Sequence, residues 1–310
     1  MQTPLSDKTY VVTGGTAGIG LAVVEQLAER GAWTIVIARS AERCRAMEDE
    51  IRYLYPGARL SSIVADLSLQ SEVRRAAGEV GRLLSDAGLD GLDGLVNNAG
   101  TFTYWLALTK EGFETQWAVN HLAPFLLTRQ LLPWLQRAAT ARVVTVSSGS
   151  HYTGRLNWDD IQLRRRYNGL AAYDRSKLAN VLFTIELNRR LGPGSGLRAF
   201  AADPGLVKTD IGFKGTPPLV RWVWQRRRAG GISPAESARG IVYLLTEPSI
   251  QQANEPYWKH GQPKAPSPRS RDRQAARRLW DLSESMCGLS PLPYPDESIA
   301  EEGEPHVVAA

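Results

Sequence analysis

Cysteine is scarce: Cys44 and Cys287 are the two in 310 residues, and they lie far apart in the chain. Two distant thiols give neither a disulfide framework nor a metal-ligand spacing, so a reducing, cytoplasmic setting is the expectation. Histidine is almost as thin. His121, His151, His260 and His306 are scattered, read as packing or surface residues, and predict no metal site. No apolar run approaches the ~20 residues of a membrane span. The opening MQTPLSDKTYVVTGG runs almost directly into a strand and leaves no room for a signal peptide. Charge of one sign is not in large excess, with 37 Lys+Arg against 32 Asp+Glu. The arginine runs at 164–166, 226–228 and 269–278 read as solvated faces. No recognition motif accompanies them, so no nucleic-acid partner is expected. His151 lies near Ser148, but there is no Gly-x-Ser-x-Gly elbow, which argues against a serine hydrolase.

What is present is an alternation. Hydrophobic residues make up 43% of the chain, enough for one large α/β domain or two small ones. Short Val- and Ile-rich runs at 10–13, 34–38, 60–65, 94–96, 142–147 and 197–202 alternate with amphipathic stretches such as 21–30 and 125–136. Strands buried on both faces with helical crossovers predict a doubly wound parallel sheet with helices on both faces, a Rossmann-type fold. The regularity breaks after Pro204. A segment at about 211–232, rich in Trp, Arg, Pro and Gly, reads as an irregular lid. Ser233-Pro234-Ala235-Glu236 then reads as a helix start running to about Thr246, and a last amphipathic helix is expected over 273–285. Residues 1–290 form one expected domain, and the Pro- and Glu-rich tail 291–310 is expected to be disordered.

The first strand flows into Thr13-Gly14-Gly15-Thr16-Ala17-Gly18-Ile19-Gly20 and then a helix. Glycines let the backbone approach a pyrophosphate, and the helix N-terminus offers free N–H groups with a partial positive charge. Further on, Tyr173 and Lys177 stand four residues apart on one helix face. A cation beside a phenol stabilises the phenolate and lowers its pKa, which is one way to make a general acid/base from tyrosine. Alone, this spacing is common and carries little.

With the Gly-x-x-x-Gly-x-Gly loop, however, the chain resembles the short-chain dehydrogenase/reductase family over roughly residues 8–290. The long gap from Ser148 to Tyr173, with Asn157-Trp158-Asp159-Asp160 in it, is similar to the retinol-dehydrogenase-like and protochlorophyllide-reductase-like branch. The resemblance implies a catalytic set of Asn120, Ser148, Tyr173 and Lys177. In it Ser148 hydrogen-bonds the substrate oxygen, with Ser147 as the rival on the opposite strand face. Tyr173 is the proton donor and also contacts the cofactor, Lys177 also holds the nicotinamide ribose, and Asn120 holds a water that links the lysine to solvent. It further implies cofactor contacts from Gly14, Thr16, Gly18, Ile19 and Gly20, from Asp66 and Leu67 at the adenine, and from Asn98, Ala99 and Gly100 beside the adenosine. Pro204, Gly205, Val207 and Thr209 would wrap the nicotinamide.

Ala38 occupies the place of the family's NAD-selecting carboxylate, and Arg39 follows it. An arginine there can pair bidentately with a 2′-phosphate, so NADP(H) is the expected cofactor. The expected reaction interconverts a carbonyl and an alcohol, EC 1.1.1.-. Reduction of an activated C=C bond stays open, as does a catalytically silent nucleotide-binding sensor or scaffold, although such proteins often lose the tyrosine or lysine kept here. Pro217, Pro218, Leu219, Val220, Trp222, Val223 and Trp224 in the lid suggest a bulky apolar or aromatic substrate. Arg221 and the arginines at 226–228 also leave an acidic substrate group or contact with a membrane surface open. Phe102, Tyr104 and Trp105 are candidates for the same pocket, with Tyr152 and Trp158 behind them. The resemblance allows a homodimer or homotetramer through the helices around Phe125 and Tyr173, and the insertions allow a monomer.

Overall fold

Val, Ile and Ala dominate the second and fifth strands, and almost every residue of the first, second, fourth, fifth and sixth is buried, the condition for a sheet covered on both faces. A computed structural model describes residues 3–207 and 230–295. Its strands are β1 (Thr9–Thr13), β2 (Trp33–Ala38), β3 (Arg59–Val64), β4 (Gly94–Asn97), β5 (Ala141–Val146), β6 (Leu197–Asp203), β7 (Tyr257–Lys259) and β8 (Gln262–Pro263). They form one sheet in the order β3-β2-β1-β4-β5-β6-β7-β8, parallel except for the last pair. The order reverses between β1 and β4, so the crevice at a switch point opens beyond their C-terminal ends.

The helices are α1 (Gly18–Glu29), α2 (Ala41–Leu54), α3 (Gln70–Asp86), α4 (Thr115–Trp117), α5 (Ala123–Arg137), α6 (Gly169–Leu191), α7 (Pro234–Thr246) and α8 (Arg273–Met286). One apolar layer lies under α3, α5, α6 and α8, and the other under α1, α2 and α7. No helix among the described residues is long and apolar enough to cross a membrane. Ser233 caps α7 as its sequence suggests, accepting from the Glu236 amide at 3.1 Å.

Three differences from the sequence reading have local causes. β7 was not foreseen, because three residues without Val or Ile, following Pro256, carry no strand periodicity. Residues 291–295, expected to be disordered, are tied down: Glu284 accepts from the Leu292 amide at 2.8 Å, Arg190 donates to the Leu292 carbonyl, and Tyr294 bonds Glu186. Finally, the helix face around Phe125 is covered by the chain itself. Trp280 of α8 is buried there, 4.9 Å from Phe125 and 5.9 Å from Phe183 between ring centroids, with the Arg190 guanidinium over it. The surface suggested for a second copy is, at Phe125, filled by α8. Most of the expected lid, including the apolar and arginine positions named in it, lies outside the described residues, as does Thr209.

Candidate active site

The glycine loop joins β1 to α1. Gly14 and Gly18 hold positive φ of 69° and 56°, and a Cβ at Gly20 would stand 2.3 Å from the Gly14 carbonyl oxygen and 2.4 Å from Asn98 Nδ2. Only glycine lets α1 sit this close to the loop and to the end of β4. α1 begins at Gly18 with no side-chain cap from Ala17, as α3 and α5 also lack one, whereas α2, α6, α7 and α8 are capped by Ser40, Asn168, Ser233 and Asp272. An uncapped helix start behind a glycine cradle, with Thr16, Gly18 and Ile19 at its mouth, fits a pyrophosphate. The Thr13 hydroxyl fastens the neighbouring loop, accepting from the amides of Asn98 and Ala99, each at 3.0 Å. The sequence reading missed Thr13, whose signal is its place as last residue of the strand before two glycines. Asp66, expected at the adenine, is exposed and closes a turn by accepting from the Ser68 amide at 3.0 Å; Leu67 beside it is partly buried.

The reacting centre assembles at the C-terminal ends of β5 and β6. Ser147 and Ser148 separate as strand alternation requires. Ser147 is buried and donates to the Lys177 carbonyl at 2.9 Å. The Ser148 hydroxyl accepts from the Ser150 amide at 3.2 Å, and it acts on the Tyr173 phenol by drawing its pKa down. Lys177, also buried, donates to the Val146 carbonyl at 3.0 Å and lies 5.4 Å from the centroid of the Tyr173 ring. Gly100 is the neighbour on the other side: a Cβ there would come within 3.4 Å of Asn120 Oδ1 and 3.8 Å of Lys177 Nζ.

Asn120 sits in a π turn, Ala118–Leu122, between α4 and α5. Its amide reads the Thr101 backbone in both directions, accepting from N–H at 2.7 Å and donating to C=O at 2.9 Å, and also donates to Ser176 Oγ at 3.1 Å. Asn120 therefore fixes the loop after Gly100. On the β6 side, Gly205 has φ of 75°, its amide donates to Asp203 at 2.9 Å, and any Cβ would strike the His260 ring. Pro204 accepts from Ser237 at 3.2 Å, and Val207 bridges to Ile232.

The electrostatics correct one expectation. Burial pushes the Tyr173 phenol up, Asp174 and Asp203 push it further, and the Ser148 hydroxyl only partly opposes them. The net direction is opposite to the lowering expected from Lys177, because the ammonium is turned to the Val146 carbonyl and desolvation dominates. Burial also pulls Lys177 down to about 8.

Among the pocket candidates, Phe102 stands 6.0 Å from the Tyr173 ring. Tyr104 and Trp105 contact each other at 4.8 Å further along the loop, with Trp105 exposed. Tyr152 and Trp158 are drawn elsewhere, Tyr152 against His151 and Tyr257, Trp158 under the Arg278 guanidinium. Arg39 is exposed where β2 turns into α2, beside buried Ala38.

A parallel sheet with a glycine cradle at its switch point, and a Ser–Tyr–Lys cluster across the crevice, defines a dinucleotide-binding α/β protein of the oxidoreductase kind. The short chain dehydrogenase family model matches residues 8–216. Retinol dehydrogenase 13 of Homo sapiens is 35% identical over 294 residues, covering 91% of this chain and 85% of its own. The crystal structure of a protein from Mycobacterium paratuberculosis, titled putative and uncharacterized, superposes with TM-score 0.71 at 35% identity, covering 94% of this chain and 97% of that one. The NADPH-bound structure of a short-chain oxidoreductase from Pseudomonas aeruginosa PAO1 gives TM-score 0.61 at 28% identity, covering 83% and 96%. The chain belongs to the short-chain dehydrogenase family, and is an oxidoreductase that uses a nicotinamide cofactor.

Proposed function

We propose that the protein is an NADP(H)-dependent carbonyl reductase and alcohol dehydrogenase acting on a bulky apolar substrate. The observation that carries this reading is the buried Lys177 ammonium 5.4 Å from the centroid of the Tyr173 ring, on the helix that faces Ser148 at the end of β5. The nicotinamide supplies or accepts the hydride when bound. The chain's own residues handle the oxygen. Ser148 offers a hydroxyl to the developing alkoxide, and Tyr173 donates its proton there. A phenol held above its ordinary pKa stays protonated at neutral pH, which suits a proton donor in reduction. Once the proton leaves, Lys177 favours the phenolate left behind.

The cradle formed by Gly14, Gly18 and Gly20 would hold the pyrophosphate, with Thr16 and Ile19 beside it. Asp66 and Leu67 would border the adenine, Asn98, Ala99 and Gly100 the adenosine, and Pro204, Gly205, Val207 and Thr209 the nicotinamide. Lys177 would hold the ribose. Arg39 supports the phosphorylated cofactor, since the β2 end has Ala38 in place of a carboxylate and Arg43 follows in the first turn of α2. The NADPH-bound relative supports the same choice. Phe102 against Tyr173 and the apolar surface of Trp105, Leu106 and Leu206 favour an apolar substrate, in keeping with the name of the human relative.

The test is NADPH consumption over a panel of apolar aldehydes and ketones, with enones alongside. Carbonyl products from alcohols and NADP⁺ would support the reading. NADPH binding without turnover of any carbonyl would sink it in favour of a sensor, and saturation of C=C alone would redirect it. Arg39→Ala is expected to weaken NADPH roughly 10–100-fold while changing NADH little, the loss of one charge-assisted phosphate pair. An unchanged NADPH/NADH ratio of kcat/KM would remove Arg39 from the cofactor site.

A further inference from the structure

His151 is fully buried, although nothing in its sequence context separates it from a surface histidine. It lies on the short turn Gly149–Tyr152 directly after Ser148. Its Nε2 is 3.1 Å from the Ser267 amide nitrogen, and its Nδ1 is 2.8 Å from the Ser148 carbonyl oxygen. An amide N–H can only donate, so Nε2 must carry the lone pair. The ring proton is therefore on Nδ1 and is given to the Ser148 carbonyl. The His151 backbone amide donates to the same oxygen at 3.1 Å. Two donors thus fix the peptide plane that follows Ser148, while the Ser150 amide fixes its hydroxyl.

The ring itself cannot drift. It lies 4.1 Å from Tyr152 and 4.5 Å from Tyr257 between centroids. Tyr257 donates its hydroxyl to Asp203 at 2.7 Å, and Asp203 accepts from the Gly205 amide. His151 thus packs on Tyr257, whose hydroxyl is bonded to Asp203, and together they reach both loops that flank the reacting centre. Both imidazole nitrogens are satisfied, so the ring meets the cost of burial only in this one tautomer and orientation.

We infer that His151 is a positioning residue: through its Nδ1–H on the Ser148 carbonyl it holds the Ser148 hydroxyl where it meets Tyr173 and the substrate oxygen. This rests on the proposed carbonyl chemistry. Two isosteric halves of the imidazole separate the roles. In His151→Asn the amide N–H replaces the Nδ1 donor and the link to Ser267 is lost. In His151→Gln the amide oxygen replaces the Nε2 acceptor and the donor to Ser148 is lost.

The full chain is assayed for kcat and KM in carbonyl reduction, for NADPH affinity by fluorescence, and for melting temperature. His151→Gln is expected to lower kcat at least ten-fold with NADPH affinity unchanged, and His151→Asn to stay within three-fold of the parent. In a Ser148→Ala background, His151→Gln should lower kcat no further. Equal kcat in the Asn and Gln variants, a full additional loss in the Ser148→Ala background, or failure of both variants to fold would overturn the inference and leave the ring a packing element. A parent protein that binds NADPH but reduces no carbonyl would overturn the functional reading as well. An active parent with indifferent His151 variants overturns this inference alone.

Discussion

Tyr173→Phe is expected to lower kcat for carbonyl reduction by about 10²–10⁴-fold, the usual worth of a positioned general acid. The substitution removes one oxygen and little else. The Phe102 edge contact at 6.0 Å is with the ring, which remains, and Tyr173 lies inside α6, whose cap at Asn168 is untouched. NADPH affinity should therefore hold within about two-fold, since the pyrophosphate cradle is on the far side of the crevice and only one hydroxyl contact is lost. The phenol of the parent is held up by burial, so its reduction rate should stay flat through neutral pH and not fall below the ordinary tyrosine range. Alcohol oxidation requires that proton to leave and should rise with pH over the same span. Steady-state rates from pH 6 to 10, with NADPH titrated by fluorescence, check both halves. A Phe variant within ten-fold of the parent would show that another group delivers the proton.

The sheet was legible because its strands are Val- and Ile-rich runs with helical spacing between them. Ends were less so: α1 starts at Gly18, ahead of the first apolar residue of its pattern, since the glycines that begin it serve the loop and not the core. Ser148, Asn120, Tyr173 and Lys177 could be picked out because each follows or sits within a short motif of fixed order. Their energetics could not be read the same way. Whether Lys177 faces the phenol or a carbonyl depends on Val146, thirty-one residues away, and only the folded chain supplies the desolvation that raises the phenol. His151 shows the same limit, because the Ser267 amide that donates to its Nε2 is 116 residues distant. Trp280 illustrates it for packing. An amphipathic pattern announces α8, but not that α8 lies over Phe125 and Phe183.

Lys177→Met is expected to separate activity from stability. When Tyr173 gives up its proton, the ammonium 5.4 Å from its ring attracts the resulting anion. At an effective dielectric of ~20 that attraction is on the order of 3 kcal/mol, roughly two decades of rate. The folded protein gives up stability to keep the charge there. Burial lowers the lysine to about 8 from its ordinary 10.5. Below about pH 8 the lysine is protonated in both folded and unfolded chains, and the burial cost is complete. Between there and its unfolded pKa, the unfolded chain binds more protons than the folded one, so stability rises with pH and the cost fades. A shift of this size corresponds to about 3 kcal/mol, and losing the Nζ hydrogen bond to Val146 returns roughly 1 kcal/mol of it. Val146 keeps a contact from Asn180 Nδ2 at 3.4 Å. The methionine variant should thus be about 2 kcal/mol more stable than the parent at pH 7, with the gap closing toward pH 10, while kcat falls about 100-fold. Urea unfolding at the two pH values measures the first and turnover the second. A variant less stable than the parent at pH 7, or a gap that does not narrow with pH, would mean that Lys177 is not charged at a cost inside the folded chain.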